Sequence, residues 1–205
     1  MLPAMNLVTS SPFPASDDAV IAATRQWVER AVIGLNLCPF AKSVHVKNQV
    51  HYAVSHATTR ADLLQDLITE LQALQASDPA VRDQTLVIAP SVLSDFLDFN
   101  DFLHDADRAL RELGLEGVLQ IASFHPQFQF AGTAADDITN YTNRGPYPML
   151  HLLREDSIAR AVAAFPEPET IFEKNMQTLE QLGHAGWAAL GLECPVPAGR
   201  GKSTP

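Results

Sequence analysis

The side chains best equipped for chemistry lie in one stretch of the chain, FHPQFQFAGTAADDITNYTNRGPYPMLHLLR, residues 124–154. An imidazole titrates near neutrality, so His125 and His151 can serve as general acid or base. Pro126 restricts the backbone of His125 to extended conformations, which would fix that ring in place. Guanidinium forks bind carboxylates and phosphates through paired N–H groups, and Arg144 and Arg154 supply two of them. Asn140, Asn143 and Tyr147 add hydrogen-bonding groups nearby. A helix expected from about Pro148 would put His151 and Arg154, three positions apart, on one side. The site this predicts has His125 and His151 as catalytic groups. Asn140, Asn143, Arg144, Tyr147 and Arg154 would bind a small anionic molecule, a carboxylate or phosphate. The competing reading is a loop whose amides and imidazoles satisfy its own backbone.

Cys38, in LNLCPFAK, is the third catalytic candidate. It follows the first expected helix. A helix carboxyl end raises a thiol pKa, against which Lys42 would act. The commoner role of such a cysteine is core filling. Asp136 and Asp137 are too few ligands for a divalent cation. Cys38, His125 and His151 lack zinc-type spacing, so no metal is expected. The tail sequence GRGKST imitates a phosphate-binding loop, but Val196 stands where the motif needs its first glycine, and no strand precedes it. No cofactor is assigned.

These groups need elements to position them. Ser16 followed by Asp17 and Asp18 starts a helix carrying Val20, Ala23, Trp27 and Ala31 at helical spacing, with Gly34 and Pro39 bracketing its end. Residues 50–55 alternate apolar and polar as a half-buried strand, to which 44–46 belong or pair. Thr59 and Asp62 resemble a capping box before a leucine-rich helix. Thr85–Ala89 is a short apolar run typical of a central strand. Ser91 or Ser94 caps a helix reaching about Leu113, stopped by Gly114. A third strand covers 118–124. After the loop come a helix from Asp156 to Phe165 and another from Pro168 to Gly183. Strands alternating with helices predict an α/β fold: a small, mainly parallel, three- to four-stranded sheet with helices on both faces. A ferredoxin-like α+β sandwich is the alternative. If the strands are parallel, 55–59, 90–91 and 124–126 share one sheet edge, where ligands of such folds bind. Two of those segments run into helix N-termini, which attract anions.

With 205 residues, the chain is expected to form one globular domain over 16–190, flanked by flexible tails at 1–15 and 191–205. Its net charge is −10, from 14 basic and 24 acidic side chains. That argues against a grip on nucleic-acid phosphates or on anionic membranes. Two distant cysteines suggest free thiols in a reducing compartment. With no recognisable signal peptide or membrane-length apolar run, a cytoplasmic location is expected.

LNLCPFAK around Cys38, and HPQFQFAG through TNYTNRGPYPMLHLLRED, resemble the signature segments of an uncharacterised bacterial family, the domain of unknown function 1415 family. The resemblance covers roughly Ala19 to Leu182. It implies a cytosolic bacterial protein and carries no mechanism with it. Three functions are therefore compared: an enzyme acting on a small anionic metabolite, a non-catalytic ligand-binding or assembly protein using the same loop, and a thiol redox protein built on Cys38. Convergence of His125, Arg144, His151 and Cys38 on one open pocket would favour the enzyme. A loop whose polar groups pair internally would favour the binding protein.

Overall fold

The computed structural model describes residues 16–163 and 170–192. The tail 1–15, all but 191–192 of the tail 191–205, and the expected helix limits at Phe165 and Pro168 lie outside those residues.

Helix α1 (Asp17–Trp27) starts where Ser16 accepts a hydrogen bond from the Ala19 amide at 3.3 Å, with Asp17 and Asp18 in its first turn. It widens into a π-helical turn over Val28–Ile33. Val20, Trp27, Val28 and Ala31 form its buried stripe. A short α2 (Ala41–Val46) takes up the segment expected to join the first strand. Lacking any buried residue, it has no sheet face to supply. Strand β1 (Val50–Val54) leads to α3 (Arg60–Ala76), whose Thr59 hydroxyl accepts from the Asp62 amide. Leu63, Leu67, Leu71 and Leu74 are fully buried along one side of α3. Each such burial contributes about 1.5–3 kcal/mol.

Strand β2 (Gln84–Ile88) precedes α4 (Phe96–Glu112). Asp95, not Ser91 or Ser94, caps α4, accepting from the Leu97 and Asp98 amides at 2.8 and 3.2 Å. A carboxylate at this position pairs with the positive end of the helix dipole. Strand β3 (Leu119–Phe124), a 3₁₀ turn (Ile138–Thr142), strand β4 (Met149–Arg154), α5 (Glu155–Ala163) and α6 (Ile171–Ala189) complete the fold.

All three expected strands join one sheet, and β4 makes a fourth, in the order β1-β2-β4-β3. β1 pairs parallel with β2, and β4 pairs antiparallel with both β2 and β3. Thus β1, β2 and β3 point one way and β4 runs back between two of them. The fold is α/β with helices on both faces, but its sheet is mixed rather than mainly parallel. The two-faced cover is unlike the ferredoxin-like alternative. On one face α3 and α4 pack on Val87, Leu119, Leu150 and Leu152. On the other, α1, the π turn and the end of α6 pack on Tyr52, Leu86, Ile88 and Met149.

Met149–Arg154 is a strand where a helix from about Pro148 is expected. Its residues, MLHLLR, are helix formers without alternation. The gap between β2 and β3 buries Leu150 and Leu152 on one face and Met149 on the other. Tertiary pairing overrides local preference here.

Candidate functional site

The carboxyl ends of β1, β2 and β3 share one sheet edge, and the loop over 125–148 lies there. The two helix N-termini at this edge are closed by their own caps, Thr59 on α3 and Asp95 on α4. Neither presents an open anion cradle. The loop builds its wall instead.

His125 follows the last residue of β3 and is fully buried beside the rings of Phe96 and Phe99, with centroids 5.5 and 5.1 Å away. Its Nδ1 lies 3.0 Å from the Gln127 amide, which donates to it. That leaves Nε2 to donate to the Leu93 carbonyl at 3.1 Å. Leu93 has φ 56, a left-handed conformation costly for a leucine. Burial holds the His125 pKa below its ordinary value, against the Leu93 carbonyl and the Asp95 charge and with the Arg144 charge adding to the depression. Both ring nitrogens are committed and no surface is open. The imidazole ties a strained loop to the end of β3.

Asn140 is equally spent. Its Oδ1 accepts from the Phe130 amide at 2.9 Å and the Thr133 hydroxyl at 2.8 Å, and its Nδ2 donates to Ala134 O at 2.8 Å. Asn143 donates to Ser123 O, and its own carbonyl accepts from the His125 amide. Tyr147 is buried in the core on the α1 side. Arg144 donates from Nε to Phe128 O at 3.1 Å and from Nη2 to Ala135 O at 2.5 Å, with its guanidinium 4.4 Å from the Tyr141 ring centre.

His151 and Arg154 lie elsewhere. His151 and Arg154 are three apart in a strand, so they point to opposite faces. His151 faces the α1 side, 3.0 Å from Gln84 Oε1, and burial lowers its pKa to about 4. Arg154 pairs with Leu119 at the opposite end of the sheet from His125. Five residues of strand, about 17 Å, separate it from the loop edge. Its Nη2 donates to Leu74 O at 2.5 Å and Ser77 O at 2.7 Å, closing the carboxyl end of α3. Its Nε is buried and has no partner among the described residues. The common pocket expected for His125, Arg144, His151 and Arg154 is therefore not formed.

Cys38 stands before α2, partly exposed. Burial raises its thiol pKa, while the Phe40 and Ala41 amides pull it down. The direction is the expected one, but its main cause is burial rather than a helix end. Among the described residues no three His, Cys, Asp or Glu side chains cluster as a metal site would require.

Beside the loop lies an open cavity of about 220 Å³ lined by Trp27, Pro126, Tyr141, Arg144, Gly145, Pro146, Trp187 and Leu192. Of the hydrogen-bonding residues that stand out in the sequence between Asn140 and Arg154, Tyr141 and Arg144 line it. Trp27 donates its indole N–H to Arg144 O at 2.9 Å, which fixes one wall to the loop. Tyr141 meets the Trp187 ring edge-to-face at 4.9 Å. Trp187 and Leu192 lie beyond Gly183, where α6 breaks with φ 63 and ψ 175. Only glycine adopts that conformation readily. Trp27 and Trp187 are 160 positions apart, so no local spacing could have announced that they share a cavity.

A family model described as a protein of unknown function (DUF1415) matches residues 19–189. The chain belongs to this family. The match runs from α1 to the last residue of α6, and so takes in the whole sheet, the loop and both tryptophans. No curated protein and no solved structure matches the chain. Among the described residues, no helix of this DUF1415 chain is long and apolar enough to cross a membrane.

Proposed function

We propose that this protein is a non-catalytic binding protein that holds a small anionic molecule in the cavity beside the 125–148 loop. One observation carries the reading. Of the polar side-chain groups on the lining residues, those without a hydrogen-bond partner among the described residues are Arg144 Nη1, the Tyr141 hydroxyl and the Trp187 indole N–H. All three can donate, and no carboxylate lines the cavity. Donors with an arginine among them suit an acceptor that carries negative charge. Arg144 already lies on the Tyr141 ring, so a ligand cation would meet repulsion where an aromatic cavity alone would favour it.

The enzyme reading loses support because its acid/base candidates are tied into the backbone or lie away from the cavity. The redox reading loses support because Cys38 does not line the cavity and has a raised pKa. The test is thermal unfolding in sodium acetate, sodium benzoate, sodium phosphate and trimethylammonium chloride, at constant ionic strength against sodium chloride. A ligand that binds only the folded state raises the melting temperature. At least one carboxylate or phosphate should raise it for the parent but not for Arg144→Met, each judged against its own unliganded melt. Equal stabilisation by trimethylammonium, or full retention in Arg144→Met, contradicts the reading.

A further inference from the structure

We propose that the ligand of this cavity is a monocyclic aromatic carboxylate. The inference rests on the anion-binding reading above and narrows it from any small anion to one chemical class.

The first ground is the wall. Trp27, Tyr141, Trp187, Pro126, Pro146 and Leu192 are apolar or aromatic, and Arg144 is the one charged lining residue. A small hydrated anion would leave that apolar surface without a partner. A flat ring covers it and gains ring-to-ring contact in offset or edge-to-face geometry. The second ground is size. At about 220 Å³ the cavity lies below the roughly 300–1,000 Å³ of sites for drug-sized ligands. One ring with a short acidic group is in proportion; a nucleotide is not.

The third ground separates carboxylate from phosphate. Phosphate sites are usually built from several backbone N–H groups at an open helix N-terminus or glycine-rich loop. Here the first turns of α3 and α4 already carry their own caps and the carboxylates of Asp62 and Asp95, which oppose an added anion. What remains is one guanidinium nitrogen, Arg144 Nη1, with the Tyr141 hydroxyl and the Trp187 N–H as further donors. That set suits a single negative charge with two acceptor oxygens. A phosphate dianion would bring a second charge into a protein of net charge −10 with no second cation lining the cavity.

The test is calorimetric titration of the full chain with benzoate, acetate, inorganic phosphate and benzyl alcohol at one ionic strength. Benzoate should bind at least roughly tenfold more tightly than each of the others, since it alone has both ring and charge. Trp187→Leu, which removes a wall but none of the loop's internal hydrogen bonds, should weaken benzoate by about fivefold or more. Acetate or phosphate binding as tightly as benzoate overturns the aromatic class but leaves the anion-binding reading standing. Benzyl alcohol binding as tightly as benzoate overturns both, because the charge then contributes nothing. Absence of heat from all four probes also overturns both. Unchanged benzoate affinity in a folded Trp187→Leu protein overturns the placement in this cavity. The ligand series needs no variant, so it decides the class even if the substitution unfolds the chain.

Discussion

His151 should make this protein acid-sensitive in a measurable and separable way. Its ring lies against the sheet, 3.0 Å from Gln84 Oε1 and 6.2 Å from the centre of the Phe124 ring, and burial lowers its pKa to about 4. In the unfolded chain a histidine titrates near 6.5. The folded pKa is the lower one, so between the two values the unfolded state binds more protons. Stability is then fully present above about pH 6.5 and is lost as pH falls toward 4. At pH 5 the unfolded imidazole is almost wholly protonated and the folded one almost wholly neutral. The loss relative to pH 7.5 is about 2 kcal/mol, from roughly 1.4 kcal/mol per unit of pH across that window. His151→Gln keeps an amide facing Gln84 and removes the titration. Urea unfolding of parent and variant at pH 7.5 and pH 5.0 isolates the contribution, because every other titrating group is common to both. The parent should lose about 2 kcal/mol more than the variant on acidification. Equal losses would refute the reasoning.

Three further outcomes follow from the same structure. Arg154→Met should destabilise the fold by about 2–4 kcal/mol in urea melts, by leaving the Leu74 and Ser77 carbonyls without their charged donor, yet leave benzoate affinity unchanged; lost affinity in a folded variant would place Arg154 in the site after all. Gly183→Ala should cost about 1–3 kcal/mol through backbone strain, since a β-carbon there has open space but φ is 63, and it should alter the fluorescence of Trp187; an unchanged melt would mean the kink is absent in solution. Cys38, its thiol pKa raised by burial, should react with a disulfide reagent at pH 8 more slowly than free cysteine, measured as the difference between parent and Cys38→Ser; a faster reaction would revive the redox reading.

The local signals read well from the sequence, and the long-range ones did not. Ser16 and the Thr59–Asp62 pair act within a few residues and stand as expected, and the strand expected over 50–55 forms over Val50–Val54. The sequence of β4 reads as a helix because its residues favour one in isolation; they become a strand only between β2 and β3. That error carried the proposed clamp with it, since the three-residue spacing of His151 and Arg154 joins side chains on a helix and parts them on a strand. The segment 124–154 stands out in the sequence for its density of polar groups. Density does not reveal where those groups turn: His125, Asn140 and Asn143 turn inward to backbone atoms. Trp27 read as a core position of α1, and Trp187 lay beyond the expected helix end at Gly183. Their meeting across the cavity is a property of the fold alone.

Trp27 and Trp187 are the only tryptophans in the chain, and both line the cavity. Intrinsic tryptophan fluorescence therefore reads the proposed site with no added label. Titrating the parent with benzoate at constant ionic strength should give a saturable change in indole emission, with the same midpoint as the calorimetric titration, and in Trp187→Leu the remaining Trp27 signal should saturate at about fivefold or more higher benzoate. Calorimetric binding of benzoate with no change in emission would put the ligand elsewhere on the molecule and contradict the account.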